Sequence, residues 1–596
     1  MTEKERLEQE PELTEPIETD AEPEPLPEQE EFWRPPVRFG SVPVEKEPLG
    51  WDRRKGFYKL YPRVSLPFQI VERVSFGNPN LPPNRLIWGD NLHVMRQLPS
   101  ESIDLIYIDP PFFSGRQYNV IFGDQNEVRS FNDIWEGGMP GYLVWLNARL
   151  YEMKRLLKKT GSIYVHCDWH ASHYIKVEMD KIFGYENFLN EIIWHYDYGA
   201  RSKRYFGRKH DCILWYKKTN EYNFYSENIL VPYESKMTLW RYTKGGQAGK
   251  PMPQGKIPSD VWDIKINAMS KERIGYPTQK PEALIERIIK ASTKEGDIVA
   301  DFFCGGGTTP AVAQRLGRRW IACDQSRVAI AVTADRLVRG AEQLTTDNPT
   351  PDFTIEYWGV YEARRLQKMP PNEFRAFILR CFGARPENKF AGIHGFKGSV
   401  PVWVCEPDPK RRVEPQDVVQ FANAIRRTPH YQQANLRDGI MLGWAFNHKA
   451  QTAAEQLRAR QNTDIHFIRL ELIRIDSPRF REHITRLSTD HADYENFLTF
   501  VLPPLVSVAY KRIAPLTYKF DISDTTVQNP GANLINVQWD FNYDGRRFRS
   551  AQGYALKKAA EPVVYKFPCA GRYVVACKVQ DDKGGEGFWS EEIAVS

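Results

Sequence analysis

Three short apolar runs each carry an aspartate at or near the carboxyl end. Leu105-Ile106-Tyr107-Ile108 leads into Asp109, Ile298 to Phe302 holds Asp301, and Trp320-Ile321-Ala322-Cys323 leads into Asp324. Apolar runs this short, bounded by turn signals, read as buried strands. The segments between them have helical spacing: residues 141–158 put Leu143, Leu146, Leu150, Met153 and Leu157 three and four apart. Ser162 to His166 is a further strand, with helices near 171–183 and from Thr308 to Leu316. This alternation over 49–345 predicts an α/β fold, a doubly wound, mostly parallel Rossmann-like sheet. Such sheets bind ligands beyond the carboxyl ends of their strands, where all three aspartates fall.

The remainder of the chain divides by composition. Residues 1–48 are an acidic, Pro/Glu-rich tail, too poor in aliphatic side chains to offset its ordering entropy. Residues 1–31 hold thirteen Asp/Glu and two Lys/Arg, a net of −11, so the overall +5 leaves +16 on the body. A body that basic suggests a polyanionic partner. The tail either solubilises the chain or competes with nucleic acid for the basic surface. Residues 195–262 interrupt the strand–helix rhythm, and 195–256 carry twelve Lys/Arg against five Asp/Glu. Tyr196, Tyr198, Tyr205, Phe206, Trp215, Tyr216, Trp240 and Tyr242 are interleaved there. Cationic side chains contact phosphates and flat rings stack on exposed bases; alternatively, the rings form a core of the insertion's own. Residues 355–478 form a smaller α/β segment. Residues 500–596 alternate β-formers with Asn/Asp/Gly turns, the pattern of a C-terminal β-sandwich.

Several classes are excluded. No apolar run approaches the roughly 18 residues of a membrane span, and the N-terminus lacks a basic head followed by an apolar core. Eight cysteines form no CxxC pair, against a zinc ribbon. The expectation is a cytoplasmic protein with no metal and no membrane partner.

Two motifs carry chemistry. In Asp109-Pro110-Pro111-Phe112 the prolines stiffen the backbone and remove two N–H donors. The Asp109 carboxylate and the Pro110 carbonyl are left to accept both protons of an exocyclic amine, while Phe112 offers a face to a planar base. Accepting those protons localises the nitrogen lone pair for attack on an electrophilic methyl. In Asp301-Phe302-Phe303-Cys304-Gly305-Gly306-Gly307-Thr308-Thr309, glycines between strand and helix admit a ligand close to the backbone, and the helix start favours an anion. Asp301 suits an ammonium. The combination fits the amino-acid end of S-adenosylmethionine; neither GxGxxG nor GK[ST] is present. Asp324 is placed for ribose hydroxyls or as a helix N-cap. No cysteine follows the proline pair, so a thiolate mechanism on C5 of cytosine has no nucleophile.

The order Gly89-Asp90-Asn91-Leu92, Asp109-Pro110-Pro111-Phe112, Tyr276-Pro277-Thr278-Gln279-Lys280-Pro281-Glu282-Ala283-Leu284 and then the glycine loop resembles the beta group of amino-DNA methyltransferases, which includes the modification subunits of type III restriction systems. The resemblance spans roughly residues 80–340. It implies methyl transfer from S-adenosylmethionine to a base extruded from double-stranded DNA. By motif, Asp109, Pro110, Pro111 and Phe112 are the catalytic set. Asp301, Phe303, Gly305, Gly307 and Thr308 would take the methionine part, Thr278 and Lys280 its carboxylate, Asp324 the ribose and Asp90 the adenine edge. Residues 195–262 fall where the group keeps its target-recognition region, making Arg201, Lys203, Arg204, Arg208, Lys209, Arg241 and Lys244 the DNA-binding set. Asp109 with Phe112 is the form usual for N6-adenine enzymes. N4-cytosine methylation and a catalytically degenerate DNA-binding adaptor are the alternatives, the latter because Phe302 stands where the group usually has proline. The group allows a homodimer and a separate restriction or defence subunit as partners.

Two weaker resemblances follow. Ile393-His394-Gly395-Phe396 with Val400-Pro401-Val402-Trp403-Val404-Cys405-Glu406 resembles a restriction-endonuclease-like core, but His394 stands at the acidic position and the acid-x-Lys is missing. No nuclease activity is expected of it. Trp539-Asp540-Phe541-Asn542-Tyr543-Asp544-Gly545 and Asp581-Asp582-Lys583-Gly584 resemble a PKD-type, immunoglobulin-like domain, where Cys569 and Cys577 would be free thiols.

Overall fold

The computed structural model describes residues 64–76, 81–112, 138–196, 203–233, 244, 255–265, 272, 278–342, 350–429, 437–459, 468–483, 498–551 and 561–596. The acidic tail, Arg201 and Arg241 lie outside the described residues.

Ten strands form the main sheet: β1 Gln69–Val74, β2 Asn84–Trp88, β3 Ile103–Ile108, β4 Leu157–Cys167, β5 Phe188–His195, β6 His210–Lys217, β7 Val261–Asp263, β8 Ile298–Asp301, β9 Arg319–Asp324 and β10 Phe353–Tyr357. Their spatial order is β1-β10-β2-β9-β8-β3-β4-β6-β5-β7. The six from β10 to β4 are mutually parallel. β3 shows how the sheet acquires two covered faces. All six of its residues are buried, and alternate side chains go to opposite sides. Ile106 and Ile108 pack with α1 (Asn91–Arg96), α2 (Gly138–Leu156) and α3 (Ser172–Phe183). Leu105 and Tyr107 pack with α4 (Glu282–Ser292), α5 (Thr308–Arg315) and α6 (Arg327–Glu342).

Three boundaries differ from the sequence reading. The helix expected to 158 ends at Leu156, and Leu157 opens β4. The sheet does not stop at 345, because β10 at 353–357 lies between β1 and β2. Residues 195–262 are not wholly an insertion: β6 runs antiparallel between β4 and β5. Trp215 stacks on Tyr164 at 5.2 Å and Tyr216 is fully buried. Tyr216 packs into the buried cluster on one face of the sheet and Trp215 into the cluster on the other, so these two rings belong to the core and not to a nucleic-acid surface.

β11 (Val360–Glu362) pairs with β17 (Thr499–Val501). Between them lies a five-stranded sheet in the order β12 (Arg385–Pro386), β13 (Gly395–Lys397), β14 (Val400–Val404), β15 (Asp438–Gly443) and β16 (Arg469–Arg474). His394 Nδ1 accepts the Val404 backbone N–H at 2.9 Å, a purely structural use. Among the described residues, no group of three or more His, Cys, Asp or Glu side chains could hold a metal ion, and no helix is long and apolar enough to cross a membrane.

The C-terminal unit has two three-stranded antiparallel sheets. One contains β18 (Ala509–Ala514), β19 (Thr517–Asp521) and β21 (Val563–Lys566); the other contains β20 (Leu534–Asp540), β22 (Gly571–Asp581) and β23 (Glu586–Val595). Phe520, Trp539, Phe541 and Phe567 fill the space between them.

Candidate active site

β2, β9, β8 and β3 are consecutive in the sheet and parallel. Their carboxyl ends carry, in the same order, Asp90, Asp324, Asp301 and Asp109. Neighbouring strands lie about 4.8 Å apart, so the row spans roughly 14 Å.

Asp109 follows β3, with Pro110 buried and Pro111 and Phe112 half-buried. Its Oδ2 accepts a hydrogen bond from Lys280 Nζ. Its Oδ1 is buried and has no hydrogen-bond partner among the described residues. Buried acceptors are nearly always paired, so this one marks a place for a donor that the described residues do not supply. The family resemblance places Lys280 at the methionine carboxylate. Its ammonium instead reaches Asp109 and lies 5.3 Å from the Phe112 ring centroid, because the strand order sets α4 and the segment before it beside β3.

Phe112 also lies 5.9 Å from the His166 ring. His166 is wholly buried at the centre of a polar chain. Tyr107 Oη contacts its Nδ1 at 2.8 Å, Asp211 Oδ2 its Nε2 at 3.2 Å, and Tyr196 donates to Asp211 Oδ1 at 3.1 Å. Burial alone would raise the Asp211 carboxyl, but the His166 hydrogen bond and charge and the Lys280 charge bring it below its ordinary value. Asp211 went unnoticed in the sequence, since only the strand pairing of β6 with β4 puts it beside His166.

The glycine loop is held from several sides. Asp301 Oδ1 accepts from Phe303 N at 3.0 Å, and Gly305 N donates to Asp324 Oδ2 at 2.8 Å. Gly307 has φ +73, and a Cβ there would sit 2.6 Å from Thr333 Oγ1. Thr308 Oγ1 donates to the Lys280 carbonyl at 3.3 Å and accepts from Arg336. Thr278 is exposed and makes none of these contacts. Phe302 is fully buried, and its carbonyl accepts from Asn91 Nδ2 at 2.8 Å. The aromatic side chain is thus accommodated in the core. Phe303 meets Trp145 at 5.7 Å.

Asp90 caps α1, accepting from Leu92 N at 2.7 Å, and both its oxygens meet Arg149 at 3.2 Å. Arg149 also donates to Asn91 Oδ1 at 2.6 Å and is 2% exposed. An arginine buried beside Asn147 and Glu152 on the same helix carries no sequence signal. Each carboxylate oxygen has further lone pairs, so Asp90 retains acceptor capacity.

The acids repel one another. Burial first, then the charges of Asp109 and Asp324, push the Asp301 carboxyl up to about 7, and burial raises Asp324 as well. A buried row of carboxylates favours a cationic ligand. S-adenosylmethionine, with an ammonium and a sulfonium, meets that requirement.

Of the residues expected to meet DNA, Lys203, Arg204, Arg208 and Lys244 are exposed and Lys209 is half-buried. The Arg208 guanidinium lies 3.7 Å from the Trp169 ring centroid and 5.0 Å from that of Tyr205. Phe206 is 98% exposed. Trp169 follows the carboxyl end of β4, on the same sheet edge as Asp109.

This chain belongs to the DNA methylase family, whose model matches residues 103–335, and it is an S-adenosylmethionine-dependent DNA methyltransferase. The DNA adenine methyltransferase YhdJ of Escherichia coli (strain K12) is 33% identical over 271 residues, 45% of this chain and 85% of that protein. The type II methyltransferase M2.LlaDCHI of Lactococcus lactis subsp. cremoris is 32% identical over 273 residues, 43% of this chain and 90% of its own. Among solved structures, the cytosine-N4-specific PvuII DNA methyltransferase is similar at 18% identity and a TM-score of 0.33, covering 47% of this chain and 92% of its own.

Proposed function

We propose that the protein methylates the N6 amine of an adenine extruded from duplex DNA. The observation that carries this reading is the unpartnered, buried Asp109 Oδ1 beside the Pro110 carbonyl and the Phe112 ring. An amine with two protons supplies the missing donor. One N–H donates a hydrogen bond to Asp109 Oδ1 and the other to the Pro110 carbonyl, which localises the nitrogen lone pair. S-adenosylmethionine supplies the methyl. As the N–C bond forms, the S–C bond breaks, and the surplus amine proton leaves through Asp109. Lys280 fixes Asp109 by occupying Oδ2, and Phe112 stacks on the base. The pairing of Asp109 with Phe112 and the 33% identity to an adenine enzyme favour adenine over cytosine. Nucleoside mass spectrometry of DNA methylated by the protein tests this: N6-methyladenine is expected, and N4-methylcytosine alone would reject the adenine assignment.

Asp301 is suited to the methionine ammonium and Asp324 to the ribose. With Asp301 near 7, cofactor affinity should rise about tenfold from pH 6 to pH 8 and flatten above, as the carboxylate forms. The same raised value makes stability run the other way. The native state holds the proton more tightly, so this group's contribution is complete below the ordinary carboxyl value of 3.8 and is lost as pH rises through about 7. Calorimetric titration across that range checks the first, and urea melts in the absence of cofactor check the second. Cofactor affinity that is flat from pH 6 to 8 would remove Asp301 from the ammonium site.

Lys203, Arg204, Arg208 and Lys244 are suited to backbone phosphates. If each engages one, log affinity should fall against log salt with a slope near −3.6, and Arg208→Ala should reduce that slope by about 0.9. An unchanged slope in the variant would take Arg208 off the phosphate path.

A further inference from the structure

The C-terminal unit is seated against the strand ends that bear two of the four aspartates. The turn between β22 and β23 lies on Trp88: Gly584 has φ +98, and a Cβ there would be 2.0 Å from the indole. The indole Nε1–H donates to the carbonyl of Gln325 at 2.8 Å. Beside it Arg327, 3% exposed, pairs with Glu586 at 2.6 Å. The guanidinium lies 4.8 Å from the Tyr357 ring, which meets Trp88 edge-on at 4.9 Å. Gln580 donates to Glu586 at 2.7 Å. Although burial would raise the Glu586 carboxyl, the Arg327 and Lys578 cations bring it below its ordinary value. Further along the contact, Lys578 meets Glu72 at 3.3 Å, Asp335 accepts from Ser550 N at 2.6 Å, and Arg547 donates to the Ser75 carbonyl at 2.7 Å.

Trp88 is two residues before Asp90, and Arg327 three after Asp324. The side chains gripped by the C-terminal unit therefore flank the two carboxylates suited to the nucleoside half of the cofactor. A buried ion pair is a poor source of net stability, since apolar residues of equal volume do as well. It does fix relative position, because either partner left alone is costly.

We infer that the C-terminal unit is a working part of the cofactor site, with Glu586 and the Gly584 turn acting as positioning elements. Through Arg327 and Trp88 they hold the ends of β2 and β9 in the spacing that S-adenosylmethionine requires. This rests on the methyltransferase reading above. Without the grip, the pocket's nucleoside end loosens while the chemistry at Asp109 is untouched.

The test uses the full chain, with calorimetric titration of S-adenosylmethionine and steady-state methylation of duplex DNA. Glu586→Gln keeps the shape and removes the charge, and Trp88→Phe removes the indole donor; if one fails to fold, the other serves. Each should weaken cofactor affinity about tenfold and raise KM for the cofactor in step, with kcat at saturating cofactor within about twofold of wild type. Arg547→Ala, which breaks a contact at the end of β1, should leave cofactor affinity unchanged. A folded variant with wild-type affinity overturns the proposal, as does a loss confined to kcat. A wild-type protein that does not bind the cofactor overturns the methyltransferase reading and this inference together.

Discussion

Asp109→Ala should lower methyl transfer roughly 10²- to 10⁴-fold, the range associated with loss of a positioned acid–base group or of a buried transition-state contact. Asp109 Oδ1 has no other business in the fold: it is buried, and no described residue donates to it. Cofactor affinity should hold or rise. The Asp109 charge is among the causes that raise Asp301, so its removal returns Asp301 toward the ionised form that an ammonium needs. The variant thus separates chemistry from binding, and single-turnover transfer of labelled methyl into unmethylated duplex DNA reads the first directly. Equal incorporation by variant and wild type would falsify the assignment of Asp109.

The second large effect is expected at Arg149→Met. The guanidinium joins three elements: both oxygens of Asp90 at the end of β2, Asn91 at the start of α1, and its own helix through the Trp145 carbonyl at 3.0 Å. Burial alone would raise the Asp90 carboxyl, but Arg149 and its cationic neighbours bring it below its ordinary value. Methionine matches the stem but leaves Asp90 buried without its counter-charge, which costs about 3–5 kcal/mol. Urea denaturation should show that loss, diminishing as pH falls and the unpaired carboxyl can protonate. Asn91 also carries the Phe302 carbonyl, so the glycine loop should loosen and cofactor binding weaken in parallel. A loss under about 1 kcal/mol, the scale of an exposed pair, would mean that the cluster is solvated in solution.

What was legible in the sequence was local. Short apolar runs ending in aspartate define β3, β8 and β9 to within two residues, because largely buried parallel strands leave few polar positions to blur the pattern. The motif residues were legible because proline pairs and glycine runs at strand ends have few other uses. What escaped depends on strands distant in sequence becoming neighbours. β6 looked like part of a basic loop because its flanks are basic, yet its own Cys212 to Tyr216 are buried between β4 and β5. Asp211 gains meaning only from that pairing. Arg149 was hidden because, in a helix that also carries Asn147, Glu152, Lys154 and Arg155, one arginine is indistinguishable from a surface arginine until its partners Asp90 and Asn91 are known. Lys280 was matched by motif to the methionine carboxylate, but the adjacency of β3 and β8 brings it to Asp109.

The Gly584 turn on Trp88 has a bearing on synthesis as well as on catalysis. The two contact points are separated by nearly the whole folded chain, and β3 with β8, at the heart of the pocket, are separated by about 190 residues. At roughly 5–20 residues per second, the interval between the ribosome making Trp88 and making Gly584 is about 25–100 s. Throughout it, β3 has Asp109 but not the strand that brings Asp301, and then the pocket has both but not its outer brace. A nascent chain therefore carries the base-binding residues for about 190 residues of synthesis before the donor half follows, and the assembled pocket then waits longer still for its outer brace.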